Sequence, residues 1–138
     1  MEMKGLSMAR PKSLHPTELE LQILKVLWDR SPLPVREIRQ ALADGGRDLA
    51  HTSVITTLGV MVRKRYLRRT KEGNAFLFAP LVSRDDVSNG MIGDLVKRVF
   101  DGSPVALMAS LFNASEIDRA ELDDLRRLIN RKAKEQSS

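Results

Sequence analysis

Cysteine is absent from the 138 residues, which excludes disulfide scaffolds, cysteine nucleophiles and thiolate metal sites together. Histidine occurs only at His15 and His51, so no histidine-based metal cluster can form and no metal is expected. Long apolar runs are missing too. The two longest stretches free of Asp, Glu, Lys and Arg are Leu49–Val62 and Gly102–Ser115. Both fall short of the roughly 18 apolar residues that a membrane span needs, and both contain hydroxyls. The opening Met1-Glu2-Met3-Lys4 has no apolar core of a secretory signal, so the cytoplasm is the default location. Phosphate-cradling glycine loops and activated nucleophiles are likewise lacking. Asp85-Asp86 and Asp123-Asp124 are adjacent on expected helices, where neighbours in sequence do not face one another, so they form no acid/base pair. Catalysis and cofactors are not expected.

What remains is ordinary globular composition, 42% apolar and 30% charged, with room for one domain or a small domain and an appendage. The charge is unevenly placed. Residues 1–80 carry 14 Lys and Arg against 8 Asp and Glu, and residues 81–138 carry 9 against 10. Most of the excess sits in Arg63, Lys64, Arg65, Arg68, Arg69 and Lys71, a density that suggests phosphate as a partner.

Residues 1–15 show no sustained period and read as a flexible arm, with Met8 an alternative start. The domain that follows spans 16–81. Thr17 with Glu20 forms a capping box, and Leu21, Leu24, Leu27 and Trp28 recur at helical spacing behind it. Asp29 to Pro34 reads as a turn. A second, shorter helix follows with Val35, Ile38, Ala41 and Leu42 on one face, Pro34 suiting its first turn. A third runs from about His51 to Arg65, with Val54, Leu58, Met61 and Val62 as its buried stripe. Tyr66–Thr70 and Ala75–Ala79 are short strands around a hairpin turn at Lys71-Glu72-Gly73-Asn74. Three short helices and a basic hairpin make a winged helix-turn-helix, a mainly α fold with a small β wing.

From residue 82 the chain changes character. Ser83 caps a helix with Val87, Met91, Leu95 and Val99 at four-residue spacing, closed by Gly102. Ser103-Pro104 starts an almost wholly apolar helix, Val105 to Phe112. Asp118 and Glu121 box the last helix, Ile117 staples against Leu122, and the chain frays into RKAKEQSS. Three helices in some 50 residues are too few to close a deep core, and an all-apolar helix must be covered on every side. The helical domain 82–138 is expected to form a two-fold dimer through residues 83–134, with Val99, Leu107, Met108, Leu111, Phe112, Leu122, Leu125, Leu128 and Ile129 at its seam. The alternative is an intrachain bundle.

Thr17-Glu18-Leu19-Glu20, Val26-Leu27-Trp28, Val35-Arg36-Glu37-Ile38, Leu49 through Leu58 and Phe76-Leu77-Phe78-Ala79-Pro80 give the chain its family likeness. It resembles the penicillinase-repressor (BlaI/MecI/CopY-type) family of bacterial transcription regulators from about residue 14 to 130. The resemblance implies a winged-helix domain, a helical dimerisation domain and an operator with two-fold symmetry. It leaves open whether a membrane sensor or a protease relieves repression. Three departures stand out. Val60 and Lys64-Arg65 occupy positions where the family usually has Arg and Lys-Gly, so operator preference should differ, with Arg65 a candidate for a compensating phosphate contact. Ser110-Leu111 replaces the Asn-Phe pair at which staphylococcal members are cleaved. The cysteine-rich tail of the copper-responsive branch is absent, which excludes copper sensing by that route.

With the third helix in a major groove, His51, Thr52, Ser53, Ile55, Thr56 and Thr57 would reach phosphates and base edges. Arg63, Lys64, Arg65, Arg68, Arg69 and Lys71, with Asn74 at the wing tip, would supply sequence-independent attraction. The N-terminal half of that helix has no Arg, Asn or Gln, so bidentate base reading is not expected from it. The expected function is a dimeric repressor bound to double-stranded operator DNA. A winged-helix module that docks on protein and never touches DNA is the rival, and it should expose apolar residues where this helix carries hydroxyls.

Overall fold

The computed structural model describes residues 14–137, so the expected arm lies outside the described residues up to residue 13. In chain order the elements are α1 (Glu18–Asp29), β1 (Leu33–Pro34), α2 (Val35–Asp44), α3 (His51–Arg63), β2 (Leu67–Glu72), β3 (Ala75–Pro80), α4 (Arg84–Val99), α5 (Pro104–Ala114) and α6 (Arg119–Ser137). The chain packs as two compact units, one ending at Gly93 and one beginning at Asp94.

The first unit is a winged helix. Its core gathers Ile23, Leu24 and Leu27 of α1, Ile38 and Leu42 of α2, and Val54, Leu58 and Met61 of α3. Leu33, Leu67 and Phe78 close it from the sheet. Leu21 and Trp28, expected on the buried stripe of α1, are only partly buried and pack against this core. The Trp28 Nε1–H instead donates to the Val82 carbonyl at 2.8 Å, and the Arg84 guanidinium lies 4.9 Å from its ring centre. The end of α1 is thereby tied to the segment that leads into α4.

The capping box of α1 forms as expected. Thr17 Oγ1 accepts from the Glu20 N–H at 3.1 Å, and Glu20 Oε1 accepts from the Thr17 N–H at 2.8 Å. Glu20 has a second task. Its side chain is buried, and both carboxylate oxygens accept from Lys64 Nζ, at 3.1 and 2.8 Å. One carboxylate therefore starts α1 and holds the C-terminal cap of α3.

Two corrections concern the sheet. It has three antiparallel strands in the order β1-β3-β2, because Leu33 and Pro34, expected in a turn, pair with Phe78 and Leu77. A two-residue strand has no period of its own to read, and only the distant partner reveals it. The hairpin turn is also shorter than expected. Lys71 pairs with Phe76 and Glu72 with Ala75, leaving Gly73-Asn74 as a two-residue loop. Gly73 sits at φ +63°, the positive φ that such tight loops require at their first position.

Helix α3 stops at Arg63, two residues before the expected end. The Tyr66 N–H reaches back to the Met61 carbonyl at 2.9 Å and the Arg65 N–H to Val62 at 3.1 Å, a Schellman closure that places Arg65 at φ +65°. Glycine suits that position, and arginine there strains its Cβ. Arg65→Gly is expected to raise the unfolding free energy by about 1 kcal/mol, read from urea denaturation of the two proteins.

In α4, Ser83 and Asp86 cap one another as a reciprocal pair, at 2.9 and 3.2 Å. Val87 is buried in the first unit's core, whereas Met91, Ile92, Leu95 and Val99 farther along the helix are exposed. Ser103 caps α5 through the Ala106 N–H at 3.1 Å, and Asp118 with Glu121 boxes α6. Helix α6 continues to Ser137 where fraying was expected, since Lys, Ala, Glu and Gln there are good helix formers. Asp123 and Asp124 pair with Arg119, Arg126 and Arg127 on the same helix, on its solvated surface. Among the described residues, no helix is long and apolar enough to cross a membrane.

Candidate nucleic-acid interface

Burial of Val54, Leu58 and Met61 fixes which side of α3 turns outward, while Val62, expected in the same stripe, is only partly buried. At about 100° per residue, the line opposite Val54 runs through Thr52, Thr56, Gly59 and Arg63. His51, Thr52, Ser53, Ile55 and Thr56 are all exposed. Thr57 is partly buried, and its hydroxyl donates to the Ser53 carbonyl at 2.9 Å, so that proton is already engaged. At the head of the helix Ala50 supplies no side-chain cap, which leaves the first backbone N–H groups of α3 open to an anion. Beside them Arg36, Arg39, Gln40 and Asp48 line a depression together with His51. Arg39 Nε donates to the Leu49 carbonyl at 2.7 Å and so braces the turn between α2 and α3. Sequence reading did not single out Arg36 and Arg39. Their three-residue spacing on the polar side of an amphipathic helix was the available signal.

The basic cluster divides into three parts. Lys64 is held by Glu20, with its ammonium 5.6 Å from the Tyr66 ring centre, so it anchors the fold. Arg63 and Arg65 remain exposed at the end of α3. On the wing the register sets the faces, since directly paired residues share a side. Arg69 pairs with Phe78 and Lys71 with Phe76, so both lie on the side that continues from buried Leu67. Arg68 pairs with Ala79 and lies on the other side. The Arg69 guanidinium is 4.7 Å from the centre of the half-exposed Phe76 ring, a cation–π contact that steadies a long side chain in water. Phe76 was not among the expected site residues, and only the hairpin register shows its role. Asn74 is exposed in the loop.

The expected dimer residues all lie on α4, α5 and α6. From Asp94 onward no described residue is buried. Val99 and Ile129 are each 62% exposed, with Met108, Leu111, Phe112 and Leu128 between 44% and 53%. Leu107, Leu122 and Leu125 are partly buried. Leu111 and Leu125 come together with Ile117 around one depression between α5 and α6.

The penicillinase repressor family model matches residues 16–131. The chain is 32% identical over 114 residues to the transcriptional regulator BlaI of Mycobacterium tuberculosis, covering 81% of this chain and 80% of that protein. It is 22% identical over 113 residues to the penicillinase repressor of Bacillus licheniformis, covering 82% and 88%. A solution structure of the DNA binding domain of the repressor BlaI aligns with 55% of this chain and 92% of its own length, at a TM-score of 0.49 and 25% identity.

Proposed function

The chain belongs to the penicillinase-repressor family, and on that premise we propose that it is a DNA-binding transcriptional repressor that grips a two-fold symmetric operator as a homodimer. The observation that carries the reading is the outward side of α3. Exposed hydroxyls at Thr52, Ser53 and Thr56 lie between an uncapped, electropositive helix start and the guanidinium groups of Arg63 and Arg65. With that side in a major groove, the open N–H groups, His51 and the hydroxyls meet phosphate and base edges. The threonine methyls and Ile55 suit thymine methyls. The wing adds Arg69 and Lys71 as charges on phosphates. The rival reading, docking on a protein, is disfavoured because Ile55 stands alone among polar neighbours and the Phe76 ring carries a guanidinium on it.

Dimerisation follows from the exposed apolar side chains of the second unit. Seven large apolar side chains at least 44% exposed over three helices, Val105 among them, are more than a soluble surface ordinarily leaves bare. A second copy of the same surface covers them and joins two reading heads, so that the second half-site is bound at high effective concentration.

Selection from a random pool of duplexes, repeated at two salt concentrations, tests this reading. A palindromic motif with half-sites about one helical turn apart is expected. Enrichment of nothing over random sequence would overturn it. For the wing, replacing Arg69 and Lys71 by Ala is expected to flatten the slope of log affinity against log salt. The change should be about 0.9 for each phosphate that a protomer no longer neutralises. The selected motif should stay the same. A changed motif with an unchanged slope would remove the wing from the phosphates.

A further inference from the structure

Arg63 is the last residue of α3, and side chains on a helix lean back toward its N-terminus. A Cβ built on Gly59 would lie 3.8 Å from Arg63 Nη1, so the guanidinium folds back along the helix to the level of Gly59. Four residues of rise bring it roughly 6 Å toward the N-terminus, into line with Thr52 and Thr56. Apart from the helix's own backbone and the adjoining residues, nothing else among the described residues lies within 4 Å of that Cβ position, and no positive φ requires glycine at 59. The missing side chain leaves the track open on which the guanidinium lies.

The guanidinium is also free of competition. Helix α3 contains no acidic residue. Among the described residues Arg63 has no ion-pair partner, whereas Lys64 is held by Glu20 and Arg98 by Asp94. A planar fork of donors thus sits level with Gly59, four residues short of the helix end, on the outward side of α3. The acceptor pair it matches is guanine O6 and N7, which a guanidinium bonds through two parallel N–H groups. In a helix-turn-helix the N-terminal part of the recognition helix contacts base edges, so a guanidinium drawn back toward that part lies nearer the bases than one at the helix end.

We propose that Arg63, laid back over Gly59, reads one guanine in each operator half-site and is the main direct specificity determinant of α3. This rests on the DNA-binding reading above and adds to it the base recognised. Arginine and lysine separate the two roles, since lysine keeps the charge for a phosphate but loses the fork.

The experiment uses the full-length chain and its Arg63→Lys and Gly59→Leu variants, each taken through the same random-duplex selection. The emission of the single tryptophan, Trp28 in the first unit, checks that each variant is folded. Wild type is expected to require guanine at one position per half-site, and both variants to accept other bases there. Replacing that guanine by 7-deazaguanine, which lacks N7, should weaken wild type roughly tenfold or more and leave Arg63→Lys unchanged. A wild-type motif shared unaltered by Arg63→Lys, or indifference of wild type to 7-deazaguanine, overturns the assignment and leaves operator binding intact. Failure of wild type to select any motif overturns both.

Discussion

Met108→Asp combined with Ile129→Asp is expected to leave a folded monomer that binds a two-half-site operator at least about 100-fold more weakly than wild type. The two side chains are 49% and 62% exposed within one chain. A carboxylate at either place therefore stays solvated in the monomer and harms it little. Covered by a second copy, each charge would lose its water without gaining a partner, at several kcal/mol per protomer. The dimer should fail by that asymmetry. Linked half-site binding is worth roughly 100- to 10,000-fold, so its loss appears as a large drop on the full operator and almost none on an isolated half-site. Sedimentation equilibrium and gel-shift titration on the two duplexes read both effects. A double variant that remains dimeric would move the interface away from these faces.

Lys64→Ala should behave in the opposite way, lowering stability with little change in the salt dependence of binding. The Glu20 side chain is 4% exposed and loses both hydrogen bonds from Nζ, keeping among the described residues its bond from the Thr17 N–H. A buried carboxylate left in that state costs about 1–3 kcal/mol. The partial exposure of Lys64, 40% for its side chain, holds the loss below that of a fully buried pair. For a unit of this size the melting temperature should fall about 4–8 °C for each kcal/mol. Adding Glu20→Gln to a Lys64→Met variant removes the stranded charge while retaining an acceptor for the Thr17 N–H. Much of the loss should then be recovered, and thermal melts of the single and double variants measure how much. A stable Lys64→Ala protein with a flattened salt slope would return Lys64 to the phosphates.

Local features were legible in sequence because their causes are local. The Thr17–Glu20 box, the Ser83, Ser103 and Asp118 caps, and the Val54, Leu58, Met61 stripe all lie within a few residues of one another. The outward side of α3 follows from that stripe by helix arithmetic, so the hydroxyl positions were readable as well. Features set by distant partners were not. Strand β1 exists because Phe78 lies beside Leu33, and Lys64 is withdrawn from the basic cluster by a carboxylate 44 positions earlier. Composition counts Lys64 and Arg69 as equal charges. Packing makes one an anchor and leaves the other stacked on a ring at the surface. Arg63 shows the same limit in a side chain, since its place in the last turn of α3 does not reveal that its guanidinium lies level with Gly59.

The claim on which the rest depends is that two chains, joined through α4, α5 and α6, set two copies of α3 on one duplex. Hydroxyl-radical footprinting of a stoichiometric complex tests it most directly. Two protected segments centred about one helical turn apart, saturating together at two chains per duplex, are the expected result. A single protected segment saturating at one chain, with full and half operators bound equally well, would contradict it.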